Sequence, residues 1–562
     1  MLHDLMTPRG ETLTGTPWTV YPRPQMKRES YVNLNGEWDF WVDEGTPGKI
    51  CVPFCPESTL SGIKEHFPEG STLCYRRFVT LPEGFNRGRV LLHIGAADQQ
   101  AECYVNGKTV GSHSGGYEAF SFDITDALTE GENEIRILCR DDLQNQAYPY
   151  GKQVMNRGGM WYTPVSGIWQ TVWLESVPEA YIRQLRIRNC GYSVIISTAT
   201  SMQGRVILGD GRVFLLQDGC TTITLEDPHL WTPEDPYLYD FVLEAGEDRV
   251  ESYFAIRSLE IKKIGDYPRL CLNGKPYFFH GLLDQGYWPD GLFTPADPAC
   301  FADDILAMKK LGFNTLRKHI KVEPEEFYYQ CDKLGMIVFQ DMVNNSDYNF
   351  LRDTVLPTIG IQRIDDKKMH SDPASRREFL REAKATVEQL RNHPCICYWT
   401  IFNEAWGQFD SDQVYEWFRK IDDSRFIDST SGWFRREKTD VDSRHVYFRK
   451  VKLQGDGVKP LVLSEFGGKT WKVEGHVFNP DKSYGYGGCK TKEALNDAVV
   501  RLYMREVLPC IEKGLCAAVY TQVSDVEDEI NGLLTYDRKV EKLDPEKMLP
   551  VAAALQQAIG EK

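Results

Sequence analysis

"CICYWTIFNE", residues 395–404, sets eight mostly apolar residues directly before an asparagine and a glutamate. An apolar run of this length is short for a helix and fits a strand buried on both faces, as strands of parallel sheets are. Seven further stretches share the character: "YFFHGLL" (277–283), "FNTLRKHI" (313–320), "MIVFQDM" (336–342), "RFIDSTSGW" (425–433), "RHVYF" (444–448), "LVLSEFGG" (461–468) and "AAVYTQVSD" (517–525). Helix-length segments separate several of them. Between the third and fourth, Asp372 and Pro373 form an N-cap and first-turn pair, and Leu380, Ala383, Val387 and Leu390 follow at helical spacing. Eight such strands over residues 262–562 predict a C-terminal (β/α)8 TIM barrel, with an open doubly wound sheet as the alternative.

Upstream the rhythm is different. Residues 30 to about 178 alternate apolar and polar, as in "RVLLHIGAADQQAECYVNGKTVG", and Asn106-Gly107 marks a hairpin turn. This is β-sandwich material, assigned to a first unit at 1–178. The alternation continues in shorter form from "AYIRQLRIRNCGYSVIISTAT" to "PYLYDFVLEAGEDRVESYFAIRS", a length suited to an immunoglobulin-like β-sandwich at 179–261. A multidomain chain is what 562 residues require, since one core does not grow to that size. The Gly-rich "SYGYGGCK" (483–490) reads as a mobile loop; no Gly-Lys-Ser/Thr follows to make it a phosphate cradle.

With 65 basic against 81 acidic residues, a net charge of −16, neither nucleic acid nor an anionic membrane is the expected partner. The start, "MLHDLMTPRGETLTG", shows no apolar signal region, and no long uninterrupted apolar run follows, so a cytoplasmic location is the expectation. Fifteen cysteines lie scattered without metal-ligand spacing. Cys395 and Cys397, two apart on one strand face, read as reduced core thiols.

If the barrel is right, the glutamate after the apolar run has a reason, because catalytic groups of this fold sit at the carboxyl ends of its strands. Glu404 ends the fourth strand. Glu465 ends the seventh, before Gly467 and Gly468, which allow a sharp turn. A pair of carboxyls about 5 Å apart is the apparatus of retaining glycosidases, one protonating the departing oxygen and the other attacking the sugar carbon. Strand-end caps or ion-pair partners are the other reading of either glutamate alone.

"NHPCICYWTIFNEAWGQFD" (392–410) together with "PLVLSEFGG" (460–468) resembles the active-site signature of glycoside hydrolase family 2, which includes β-galactosidases, β-glucuronidases and β-mannosidases. "YVNLNGEWDF" (31–40), "CYRRFVTLP" (74–82), "YVNGKTVGSHSGGYEAFSFDIT" (104–125) and "VSGIWQTVWLE" (165–175) resemble its sugar-binding jelly roll. "DPHLWTPEDPYLYDFVLE" (227–244) resembles its immunoglobulin-like domain. The resemblance implies Glu404 as acid/base, Glu465 as nucleophile, Asn403 on the sugar 2-hydroxyl and Arg317 beside the nucleophile. His319, His445 and Tyr447 are further candidates at strand ends. Asp284 and Gln285 are candidate hydroxyl ligands; Trp288, Trp406 and Trp433 are candidate ring platforms or core residues. Tyr520 stands where relatives carry tryptophan.

The subtype is less uniform. β-Glucuronidases of the family carry an Asn-x-Lys element whose lysine pairs with the sugar carboxylate, and "DEINGLLTYDR" (528–538) has Glu529 and Asn531 at those positions. A buried carboxylate without a cation is costly, which argues against a uronic acid. The resemblance therefore implies a retaining exo-β-glycosidase, β-galactosidase-like, acting on an oligosaccharide or glycoside without cofactor or metal. Glucuronidase, mannosidase, glucosidase or arabinopyranosidase specificity is the alternative, and a non-catalytic carbohydrate-binding protein a remote one. Homo-oligomers are common in the family.

Overall fold

The computed structural model describes residues 2–142, 146–199, 202–358, 361 and 365–560. Eight parallel strands form its largest sheet: β1 (Phe279–Asp284), β2 (Thr315–Lys318), β3 (Ile337–Asp341), β4 (Ile396–Asn403), β5 (Phe426–Ser431), β6 (Asp442–Val446), β7 (Leu461–Gly467) and β8 (Leu515–Thr521). The spatial order is β5-β4-β3-β2-β1-β8-β7-β6. Because β8 pairs with β1, the sheet wraps around, which excludes the doubly wound alternative. β5 and β6 face each other across the remaining seam, where the Ser431 and Ser443 hydroxyls lie 3.2 Å apart. All but one residue of these strands are buried, as a sheet covered on both faces requires.

Helices α1 (Ala299–Lys310), α2 (Glu325–Leu334), α3 (Pro373–Leu390), α4 (Ser411–Ile421), α5 (Lys492–Leu502) and α6 (Pro545–Gly560) surround the barrel. The Asp372 carboxylate accepts from Ser375 N at 2.8 Å, the cap expected from the Asp-Pro pair. Among the described residues, no helix follows β5 or β6, so the alternation of strand and helix lapses there. Cys395 and Cys397 are fully buried and unpaired.

Residues 31–177 make a sandwich of a four-stranded and a six-stranded antiparallel sheet. Its hairpin turn places Asn106 and Gly107 at φ of 49° and 77°, the left-handed pair such a turn needs. Residues 185–254 form three strands against four, the seven-strand arrangement of immunoglobulin-like sandwiches. From the first sandwich, the loop 146–166 reaches the barrel mouth, and its Tyr150 hydroxyl donates to Ser346 O at 2.7 Å.

Candidate active site

Glu404 stands one residue past the end of β4, and the chain leaves the strand there through two successive left-handed residues, Glu404 (φ 49°) and Ala405 (φ 66°). Such conformations cost a non-glycine residue of order 1–3 kcal/mol and recur at functional positions. They turn the glutamate into the mouth of the barrel. On β7, Glu465 lies two residues before Gly467, and one carboxylate oxygen of each glutamate, with a ring nitrogen of His445, fall within 4.8 Å of one another. That separation belongs with the roughly 5–5.5 Å of retaining carboxylate pairs, well below the roughly 6.5–9.5 Å of inverting ones.

The partners of the two carboxylates differ. Glu465 accepts from Arg317 Nη1 at 3.1 Å and from the Tyr447 hydroxyl at 2.5 Å, and its side chain is only 5% exposed. Burial alone would push its carboxyl up, but His445, Arg317 and His319, with the Tyr447 hydroxyl, outweigh burial and hold it at about 2. Of these, the Arg317 guanidinium stays positive throughout the working pH range. Glu404 is 24% exposed and shares a 2.6 Å hydrogen bond with His445 Nδ1.

Beneath them Arg317, 1% exposed, donates to Asp341 at 2.9 Å and to Asn403 Oδ1 at 2.9 Å. With its oxygen engaged, Asn403 keeps its amide N–H groups for a ligand. His319 Nδ1 lies 2.8 Å from the same aspartate; burial, then the nearby Lys152 charge, lower its pKa to about 4, so the ring is neutral at physiological pH. Glu404, His445 and Glu465 are also spaced as three metal ligands would be, and they are the carboxylate pair and its histidine.

The cleft above has about 520 Å³ of open volume and is lined by Asn403, Glu404, Glu465, Tyr447, His319, Gln285, Trp406 and Glu529 among the expected residues. Others lie elsewhere. Asp284 is tied to Lys318 Nζ at 2.7 Å and accepts from Gly286 N at 3.0 Å, inside an ion-pair cluster outside the cleft lining. Trp288 is buried with the Arg538 guanidinium 4.0 Å over its ring. Tyr520 packs between Phe466 and Tyr503 and accepts from Lys469 N at 2.9 Å. Trp433 sits behind His445, ring centres 5.6 Å apart, away from the lining.

Three features escaped the sequence. Lys152 and Trp161 come to the cleft from the N-terminal loop, Trp161 edge-on to Trp406 at 5.2 Å. Tyr486, from the Gly-rich loop read as mobile, stacks on Tyr447 at 4.1 Å. Tyr348 closes a side of the cleft beside Trp161 at 4.9 Å. Glu529 is also engaged: it accepts from the Tyr162 hydroxyl at 2.5 Å and from Asn531 Nδ2 at 2.9 Å. From Asn531 the hydrogen bonds continue through Gln522 to Gln285, each 2.9 Å.

An eight-stranded parallel near-barrel carrying a close carboxylate pair at the ends of β4 and β7 defines the class, a (β/α)8 protein with glycosidase-type site geometry. The chain belongs to glycosyl hydrolase family 2. The family's TIM barrel domain matches residues 263–540, its sugar binding domain 62–178, and the domain described as glycosyl hydrolases family 2 matches 178–257. A β-galactosidase of Thermoanaerobacter pseudethanolicus is 24% identical over 80% of this chain, and one of Pseudoalteromonas haloplanktis is 24% identical over 70%. The chain spans 60% and 38% of those two relatives. In fold it is similar to a β-D-glucuronidase of Dictyoglomus thermophilum, TM-score 0.72 at 18% identity, covering 96% of this chain and 99% of that one. It is also similar to a β-galacturonidase of Eisenbergiella tayi, TM-score 0.69 at 17% identity, with 96% and 99% covered. No helix among the described residues is long and apolar enough to cross a membrane.

Proposed function

We propose that the protein is a retaining exo-β-glycosidase, β-galactosidase-like, built from units at 1–178, 179–261 and 262–562, with Glu465 as nucleophile and Glu404 as acid/base. The observation that carries the reading is the pair itself, oxygens within 4.8 Å, one carboxylate held ionised by Arg317 and Tyr447. Glu404 protonates the departing oxygen while Glu465 attacks the anomeric carbon, and Glu404 then takes a proton from the water that hydrolyses the glycosyl–enzyme ester. Asn403 donates to the 2-hydroxyl, a bond that strengthens as positive charge develops on the ring. The amide series Gln285–Gln522–Asn531 supports a neutral sugar, as do the names of the β-galactosidase relatives. Fifteen unpaired cysteines support a reducing, cytoplasmic setting.

A second reading, a β-hexuronidase, is favoured by Lys152, whose ammonium enters the cleft with no carboxylate paired to it among the described residues. A panel of nitrophenyl β-galactoside, glucoside, mannoside, arabinopyranoside, glucuronide and galacturonide separates the two. Galactoside turnover is the expected result, with Glu465→Gln abolishing it in a folded protein. Dominant uronide turnover that Lys152→Ala selectively removes would select the second reading, and unimpaired Glu465→Gln would remove the nucleophile assignment.

A further inference from the structure

Beside the catalytic cleft lies a second, wider groove of about 1110 Å³ that shares Tyr447 and Tyr486 with it as a common wall. The Tyr447 hydroxyl is on the nucleophile, so the groove begins one side chain away from the reacting centre. Four cations line it: Arg449 and Lys450 after β6, Lys469 after β7 and Arg501 on α5. None of them forms an ion pair with a described carboxylate. The one acid of the lining, Glu506, accepts from the backbone N–H of Val451 at 2.8 Å. In a chain of net charge −16, four cations gathered on one groove against a single lining carboxylate, with Lys469 Nζ held by the Tyr486 carbonyl at 3.5 Å, make a local field of opposite sign to the rest of the molecule. Like charges repel, so the arrangement is stabilised when an anion joins them.

The groove also presents Phe448, 80% exposed, edge-on to Tyr486 with ring centres 5.3 Å apart. An exposed aromatic ring bordered by guanidinium groups has the chemistry to bind a sugar carrying an acidic substituent. The apolar face of the pyranose covers the ring, and the carboxylate or sulfate takes the charge-assisted hydrogen bonds of arginine. An exo-acting site encloses the terminal sugar, so the remainder of the substrate extends into whatever adjoins the cleft.

We propose that this groove is a leaving-group subsite for an anionic sugar residue, one bearing a carboxylate or sulfate. The inference rests on the glycosidase reading above, and its test separates the two. The probe is a β-linked disaccharide with a uronate at the reducing end, compared with its neutral hexose counterpart and a nitrophenyl glycoside of the same terminal sugar. The wild-type protein should prefer the uronate disaccharide by about tenfold in kcat/KM, a preference that shrinks at high salt. The triple variant Arg449→Ala/Lys450→Ala/Arg501→Ala should lose that preference while keeping the neutral disaccharide and the nitrophenyl glycoside within about twofold, since charge contacts to an absent group are worth nothing. Equal wild-type kcat/KM on the two disaccharides, or an equal fall on both in the variant, overturns the subsite. Calorimetric titration of the Glu465→Gln protein with the uronate disaccharide reads the groove without turnover. Binding lost on the triple substitution supports the subsite even if no nitrophenyl glycoside is cleaved, and no binding overturns it.

Discussion

At Glu465 burial and charge act in opposite directions, and charge wins. The carboxyl is held at about 2 against its own burial, so it remains ionised from neutrality down to strongly acid pH. As a folded-state pKa below the unfolded value, this contributes stability above the ordinary carboxylate range, lost only as pH falls toward about 2. Tyr447→Phe removes one of the groups holding it down. A hydrogen bond to a charged group is worth about 1.5–3 kcal/mol, so kcat/KM should fall about tenfold to a hundredfold. The acid limb of the pH profile should move to higher pH in the same variant. A Tyr447→Phe profile that superimposes on the wild type would show that the hydroxyl does not hold Glu465 ionised. Residues of this kind were legible where a strand delivered them: Arg317, Asn403 and Glu465 lie in the last three residues of their strands, and Glu404 and Tyr447 directly follow theirs. Lys152 and Tyr486 were not, because they come from irregular loops where neither period nor motif indicates direction.

The eight strands were legible as elements, since each is an apolar run confined to a barrel wall, but their ends were not. The sixth begins at Asp442 and ends at Val446, two residues before the expected range at either end, because the polar Asp442 and Ser443 are buried in the wall while Phe448 is in solvent. Strand ends matter here because they set the catalytic geometry. At the end of β7 both Gly467 (φ 88°) and Gly468 (φ 72°) are left-handed, and a Cβ added at Gly467 would run into the ring of Tyr520. That ring is fully buried between Phe466 and Tyr503, so it has no room to withdraw. Gly467→Ala should therefore cost about 1–3 kcal/mol through overpacking, seen as a lower thermal midpoint. It should also lower kcat, since Glu465 lies two residues before the displaced turn. A thermal midpoint and kcat equal to the wild type would mean that the turn accommodates the methyl group.

On the scale of the whole molecule, the cleft is not a property of the barrel alone. The loop 146–166 of the first sandwich supplies Lys152 and Trp161 to the lining, and polar contacts of Arg157, Tyr162 and Thr163 fasten it to the segment after β8. Thr163 N donates to Glu527 at 2.9 Å, Arg157 pairs with Asp528 at 3.1 Å, and the Tyr162 hydroxyl donates to Glu529 at 2.5 Å. The last is fully buried, and both Glu529 oxygens are used, one by the N-terminal loop and one by Asn531 of the amide series that reaches Gln285. The first sandwich therefore bears on the same hydrogen-bond chain that lines the cleft at Gln285 and Glu529. Glu529, which stands where β-glucuronidases of the family carry the asparagine of Asn-x-Lys, is in the structure a tie between the N-terminal loop and the barrel. Tyr162→Phe leaves that buried carboxylate short of one donor, a loss of about 1–3 kcal/mol. Because the tie supports the cleft wall without touching the reacting carbons, KM should rise while kcat on the same nitrophenyl glycoside changes by less than about threefold. An unchanged KM together with an unchanged thermal midpoint would show that the loop's other contacts, among them Tyr150 on Ser346 O, Arg157 on Asp528, Thr163 on Glu527 and Trp161 on Trp406, hold it at the barrel mouth without the Tyr162 hydroxyl.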